Sequence, residues 1–380
     1  MKHFFFSLLV ITAPLVACTS DDPTNPDLPV VDAADLDYSA EYASSWANYS
    51  RNVAALLKAD AATLRDKWTG GFAQQFASGA WSGSFSESVQ QIFDGCIDIA
   101  NEVGTAKIGE PYDYYVAGQT TTAVYAVESW YSWHSRDDYA NNIRSIANSL
   151  LGVRTTGALN LVEPQSAGHA DCLYAYCHTL DAERTAALWH NVVEAWSAIQ
   201  TIPQPFRNNI NTAETVAAMD ACERLTTSLE EMKAIVAARS DEAQLRPIVE
   251  RYVYGVVVPT YEDLAQKNAA LYDAVVALGA HPSDDAFAAA CEAWLNAREP
   301  WETSEAFLFG PVDELGLDPN MDSWPLDQDA IVKILTSGDY SRLDWTDADD
   351  DDAIEAAQSL RGFHTLEYLL FKNGQPRRVK

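Results

Sequence analysis

Basic side chains are scarce in this sequence: 25 Lys and Arg stand against 55 Asp and Glu, a formal net charge of -30 over 380 residues. Such a chain repels phosphate backbones and anionic lipid heads, which argues against nucleic acid as a partner and makes cations the natural guests. Beyond the first seventeen residues no apolar run approaches the twenty or so residues of a membrane span. Alternating strands joined by hairpin turns are missing as well, which argues against a sheet architecture. The helical zinc-hydrolase signature His-Glu-x-x-His does not occur among the seven histidines. Six cysteines leave an odd remainder of five once Cys18 is set aside, too few for a fully paired framework. Cys172 and Cys177 are close enough in sequence to pair, and buried thiols are the equal alternative.

What is present begins with an export signal. Lys2 and His3 precede an apolar stretch from Phe4 to Val16, and Leu15-Val16-Ala17-Cys18 supplies a small-residue cleavage site. Residues 1-17 therefore read as a signal peptide whose last residues resemble a lipobox, with Cys18 as the acylated residue. The expected anchor is lipid alone, so the partner at this end is a membrane. Thr19-Ser20-Asp21-Asp22 resembles the acidic tag of lipoproteins sent to the cell surface, with the periplasmic face of the outer membrane as the other address. From 18 to 37 the Asp, Pro, Thr and Asn content leaves little to bury, and the segment reads as a tether.

After the tether the apolar period is helical. Trp46, Tyr49, Val53, Leu56, Ala61, Leu64 and Trp68 step by three to five, and Val216, Met219, Cys222, Leu225, Leu229, Met232 and Ile235 by three or four. Similar stripes run over 123-151, 185-202, 249-278, 284-308 and 353-371. An all-α fold of two packed helical bundles follows, divided as 38-245 and 246-380 with its softest boundary near Arg239 to Pro247. Pro259 predicts a kink or short break. The run from Gly310 to Asp329 reads as a long irregular loop, functional or a lid.

His364 and Glu367, three apart on a helix, share a face and could hold a metal ion. Four of the histidines have an acid three residues on, the others being His134 with Asp137, His178 with Asp181 and His281 with Asp284. Spacing alone therefore reads as a structural ion pair as readily as a metal site. Gly362, inside the predicted helix, costs roughly 1 kcal/mol relative to alanine and needs a reason such as close packing. The acidic run Asp347, Asp349, Asp350, Asp351 and Asp352 fails the calcium-loop pattern, with Asp352 where glycine is needed and Gln358 where a bidentate acid is needed. It reads as a solvated helix start. His178 and Asp181, beside the Cys172 to Cys177 pair, read as loop decoration.

Three blocks carry a resemblance: Trp301-Glu302-Thr303-Ser304-Glu305-Ala306-Phe307-Leu308-Phe309-Gly310, then Asp322-Ser323-Trp324-Pro325-Leu326-Asp327, then Gly362-Phe363-His364-Thr365-Leu366-Glu367. With Cys96 to Gly109, Glu128 to Ser135 and Ile202-Pro203-Gln204-Pro205-Phe206, they resemble the imelysin-like family, also classed as peptidase M75, over nearly everything after the tether. Relative to the usual family order the halves look circularly permuted, a rearrangement compact domains tolerate when the break falls in an exposed loop.

The resemblance implies two bundles with a cleft between them, lined by His364, Glu367 and Gly362 from one half. Glu128, Ser132 and Ser135, spaced four and three apart as on one helix face, line it from the other. Glu305 is an implied third oxygen ligand beside His364, Glu367 and Glu128. Ser304, Asp322 and Trp324 match positions near the site and could equally cap, pack or orient it. The implied cofactor is a divalent or trivalent metal ion, iron ahead of zinc, with iron-transport components of the envelope as partners. A metallopeptidase is the second reading, weakened because Tyr368 stands where an inverted zincin carries its second histidine. The third is a surface glycan- or protein-binding lipoprotein, with which eleven tryptophans are compatible.

Overall fold

Helix starts in this chain follow from short polar side chains that satisfy the free N-H groups of a first turn. Ser84 accepts from the Glu87 N-H at 3.0 Å, Asp181 from Arg184 at 3.0 Å, Ser283 from Ala286 at 3.1 Å and Asp350 from Ala353 at 3.0 Å. The computed structural model describes residues 36-161, 164, 170-345 and 350-380. The signal peptide, Cys18, most of the tether, Asp347 and Asp349 lie outside the described residues. Asp350 to Asp352 do begin a helix, and Asp181 is the cap of another.

The helices, in chain order, are α1 (Ala43–Lys67), α2 (Ala73–Ala77), α3 (Phe85–Glu102), α4 (Gly109–Val116), α5 (Thr120–Ala126), α6 (Ser135–Leu151), α7 (Leu173–Leu180), α8 (Ala182–Thr201), α9 (Ala213–Ala238), α10 (Glu242–Tyr252), α11 (Val258–Ala280), α12 (Asp284–Glu302), α13 (Pro311–Glu314), α14 (Leu317–Asp322), α15 (Gln328–Ser337), α16 (Asp351–Gln358) and α17 (Gly362–Leu370). The chain kinks at Gly71 (φ 143) between α1 and α2, and π-helical turns occupy Val103–Lys107 and Val253–Val257. The last lies directly before Pro259, where a wider π turn joins α10 to α11 within continuous helical backbone in place of the expected kink or break. None of the described helices is long and apolar enough to cross a membrane.

Two groups of helices result. α1 packs along α11 and against α14, α15 and α17, while α12 joins α11 and α17. α3, α6, α8, α9 and α10 form the other group. Helix α1, which a division at residue 245 assigns to the earlier half, therefore lies with the later helices. Its buried stripe includes Trp46, Tyr49, Val53, Leu64 and, in place of the expected Leu56, Leu57. The segment Arg239 to Pro247 holds the start of α10, with Pro247 inside that helix. The five described cysteines are free and buried, Cys172 and Cys177 among them.

Four expected stretches differ in detail. The 123-151 stripe is broken by a turn between α5 and α6, where Ser129 (φ 49) and Trp133 (φ 61) take left-handed conformations, so Glu128, Ser132 and Ser135 do not share a helix face. The 284-308 stripe stops at Glu302, and Glu305 opens a short 3-10 turn, Glu305–Phe307, rather than lying on a helix. The 353-371 stripe is broken at 359-361. Gly362 is the first residue of α17 at φ +87, and a Cβ there would lie 2.6 Å from the Met321 carbonyl oxygen. The run from Gly310 to Asp329 carries α13 and α14 rather than a structureless loop. Two short strands, β1 (Phe371–Lys372) and β2 (Gln375–Pro376), pair antiparallel around Asn373-Gly374, a hairpin the apolar pattern does not predict.

Where the groups meet, α6 packs on α12, and the 305-307 turn presses on α3. At Gly95 of α3 an added Cβ would fall 2.1 Å from the Ala306 carbonyl oxygen, so only glycine admits that approach. The hairpin docks on the 127-134 turn, with the Gly374 N-H donating to the Tyr131 carbonyl at 2.8 Å.

Candidate functional site

Helix α12 buries Phe287, Ala290, Cys291, Trp294, Ala297 and Trp301 on one face, and the same face carries Arg298 and Glu302. A guanidinium so placed has no water and needs carboxylates. Arg298 finds three: Asp138 of α6 at 3.3 Å, Glu302 one turn on at 2.6 Å and Asp322 at the end of α14. Asp322 also accepts from Trp301 Nε1 at 2.7 Å. Ser129 donates to Asp138 at 2.5 Å and Asn142 to Glu302 at 2.6 Å, so the neighbouring bundle braces both acids.

His364 sits against this cluster with no exposed surface. Its Nδ1 is 3.1 Å from Glu367 Oε2, its Nε2 3.2 Å from Asp322 Oδ1, and the Trp324 ring covers it at 4.8 Å between centroids. Burial and the nearby Arg298 press the imidazole toward its neutral form. Asp322 and Glu367 outweigh them and bring its pKa up to about 9. Glu367 in turn accepts from the Ser132 backbone at 2.8 Å and the Ser132 hydroxyl at 2.6 Å, which ties α17 to the 127-134 turn. The motif pair is thus an ion pair. With Nδ1 facing Glu367 and Nε2 facing Asp322, both ring nitrogens of His364 are engaged by carboxylates. Glu367 bridges His364 and Ser132.

A second layer of acids lies beside the first. Lys107, at the end of the Val103–Lys107 turn, is buried and places Nζ 3.0 Å from Glu128 Oε2 and 3.6 Å from Glu102 Oε1. Glu128 is therefore already paired with a cation. Glu305, only 9 % exposed, receives no hydrogen bond or ion pair from the described residues. Burial pushes its carboxyl well above the usual range, with Lys107 opposing and Glu302 adding to the shift. The same cause lifts Glu302 to about 8, against Arg298, and Asp318 to about 7, with Asp322 contributing. For Asp322 the balance is reversed: burial raises it, but Arg298 and His364 hold it below the ordinary carboxylate range.

Glu302, Glu305 and Asp322 each bring an oxygen within 4.8 Å of the others'. This set fits a hard cation on chemical grounds, because carboxylates keep spare lone pairs after accepting a hydrogen bond and burial penalises their uncompensated charge. Of the expected residues, Glu305, Glu128, Asp322, His364, Glu367, Ser132 and Trp324 do meet at the bundle interface. Ser135 and Ser304 serve the backbone: their hydroxyls donate to the Glu128 carbonyl at 2.5 Å and the Trp301 carbonyl at 2.7 Å. Gly362 admits the close approach to Met321 and so fixes α14 against α17.

The comparisons with known proteins agree with this architecture. The peptidase M75 (imelysin) profile matches residues 23-232 and 257-379. The chain belongs to the imelysin family. An imelysin peptidase of known crystal structure from Bacteroides ovatus is 51 % identical and superposes with a TM-score of 0.86, covering 91 % of this chain and 99 % of that one. Iron-regulated protein A of Synechococcus elongatus is 33 % identical over 128 residues, 34 % of this chain. The match spans about a third of that relative, 32 % of its length. The all-α imelysin fold is thereby established for this chain.

Arg298, Glu302, Asp138, Asn142, Lys107 and Asp318 were not anticipated as site residues. For Arg298 and Glu302 the signal was present: charged residues falling in phase with the buried stripe of an amphipathic helix must be paired inside.

Proposed function

We propose that this imelysin-family protein binds a hard metal cation, iron foremost, at the bundle interface and serves iron acquisition from the cell envelope. The observation that carries the reading is the convergence of Glu302, Glu305 and Asp322 within 4.8 Å. An all-oxygen set suits trivalent iron as a hard ion, as it also suits Mg2+, Ca2+ or Mn2+, and suits zinc less, since zinc favours nitrogen and sulfur. Arg298 and His364 would hold Asp322 in place, Asn142 would orient Glu302, and Glu305 would supply the uncommitted carboxylate. The name of the Synechococcus relative supports the link to iron.

The envelope address rests on residues 1-22: lipid on Cys18 would anchor the domain to the outer membrane, at the cell surface by the acidic tag or otherwise facing the periplasm. Envelope transport components would then be its partners. The exchanged order of the halves belongs to the same proposal. Arg377 donates to the Leu36 carbonyl at 3.1 Å and the Leu36 N-H to the Tyr368 hydroxyl at 3.3 Å, so the two ends of the fold are neighbours, as a moved chain break requires.

Elemental analysis of protein purified without added metal tests the reading. Iron is expected near one equivalent, and Glu305→Gln should lower it at least tenfold while the helical circular dichroism stays unchanged. Equal iron in wild type and variant, or none in either, would end it. The peptidase reading draws on the description of the Bacteroides ovatus structure as an imelysin peptidase. It requires chelator-sensitive cleavage of a denatured protein substrate that Glu305→Gln abolishes. The tryptophans give a glycan-binding face little to work with, because Trp46, Trp68, Trp130, Trp294 and Trp301 are fully buried.

A further inference from the structure

The acid cluster has a cation beside it, Lys107, paired with Glu128 and Glu102. Lys107 ends a π-helical turn, a local insertion that often marks functional positions. At its other end the turn is pressed onto α9, where a Cβ on Gly104 would lie 2.8 Å from the Cys222 Cβ. One result is that Lys107 points inward, with 6 % of its side chain exposed, while Glu102 five residues earlier remains 51 % exposed at the rim. A buried lysine normally loses charge. Here its ammonium is met by Glu128 at 3.0 Å and Glu102 at 3.6 Å, two carboxylates that favour the charged form.

We propose that Lys107 is the resident counter-ion of the acid pocket and grades the cations that enter it by their charge. The inference rests on the metal-binding reading of Glu302, Glu305 and Asp322. A guest beside Glu305 sits in the field of a fixed positive charge, because Lys107, bound to Glu128 at 3.0 Å, also acts electrostatically on Glu305 and Glu302. The Coulomb penalty on that guest is proportional to its charge. The lysine therefore restrains trivalent ions more than divalent ones, and keeps binding weak enough for a carrier to hand its cargo on. It also stabilises the empty pocket by sharing the acids until a cation arrives.

The proportionality supplies the test. Tb3+ and Ca2+ are oxygen-seeking ions of similar radius and different charge, and terbium emission is sensitised by nearby indole, here Trp301, whose Nε1 is 2.7 Å from Asp322. Terbium affinity is measured by emission and calcium affinity by competition, in wild type, Lys107→Gln, Lys107→Arg and Glu305→Gln. Lys107→Gln should bind Ca2+ about tenfold more tightly and Tb3+ about thirtyfold more tightly, the logarithmic gains standing near three to two. Lys107→Arg should show no gain. If Glu305→Gln abolishes terbium binding but Lys107→Gln matches wild type, the counter-ion role is wrong and the metal site stands. Equal logarithmic gains for the two ions would also overturn it, since a merely structural lysine would shift both alike. Absence of terbium binding in every protein removes both ideas. Should Lys107→Gln fail to fold alone, refolding with Tb3+ should restore its helical signal, and failure to do so counts against the proposal.

Discussion

Replacing Arg298 by methionine removes the charge and keeps a long, flexible chain of comparable reach. In the native protein the guanidinium has no exposed surface and faces Asp138, Glu302 and Asp322 together. Its loss leaves His364 as the nearest cation for acids that cannot reach water. Breaking a single buried pair this way costs about 3–5 kcal/mol. With three carboxylates affected, the expectation lies toward the upper end. A chain of this size unfolds with an entropy of roughly 0.7 kcal/mol/K, so the melting midpoint should fall by about 4–7 °C. Thermal melts by circular dichroism, run with a chelator so that no metal substitutes for the lost charge, measure it. Adding Asp322→Asn to Arg298→Met removes one of the stranded acids and should recover more than 1 kcal/mol over the additive sum. A midpoint within 1 °C of wild type, or strict additivity in the double variant, would refute the idea that Arg298 is the cation organising this cluster.

Two further substitutions probe the frame around the site. Gly362→Ala combines a φ of +87 with a Cβ 2.6 Å from the Met321 carbonyl oxygen, so urea denaturation should show a loss of about 2 kcal/mol or more, with lower metal content because the adjacent Asp322 moves. A variant as stable as wild type would mean that α14 is not held by this contact. Trp301→Phe deletes the indole donor to Asp322 at 2.7 Å and should cost about 1–3 kcal/mol, part of it recovered by Asp322→Asn. No change in the unfolding midpoint would show that this hydrogen bond is replaced by water.

The helices were legible because their apolar phase is regular, and the breaks were not, because tertiary contacts impose them. Nothing local marks Ser129 or Trp133 for a left-handed backbone. The turn that holds them is fixed by Ser132 bonding to Glu367 and by Tyr131 receiving Gly374, residues more than two hundred positions away. Gly362 was singled out correctly as a glycine in need of a reason. The reason, an approach to Met321 at a helix start, depends on where α14 ends. The missed α14 itself has six residues, too few to show a period.

The site was legible as a location more than as a chemistry. Gly-x-His-x-x-Glu identifies the helix that enters the interface, but spacing cannot say whether an imidazole gives a lone pair to a metal or a proton to a carboxylate. Both ring nitrogens face carboxylates, Asp322 and Glu367, which come from different elements, one of them outside the motif. The apolar phase of α12 could have revealed Arg298 and Glu302, since charge on a buried face demands partners. Lys107 could not be found that way, because a π-helical turn shifts the phase between α3 and the residues after it. On the proposed reading the labour is divided: the motif histidine is a positive charge that positions Asp322, and Glu305, three residues beyond Glu302, gives the uncommitted oxygen. Metal affinity should then respond to Glu305→Gln more strongly than to His364→Gln, whose amide can still donate to Asp322. The opposite ranking would return the histidine to the role of ligand.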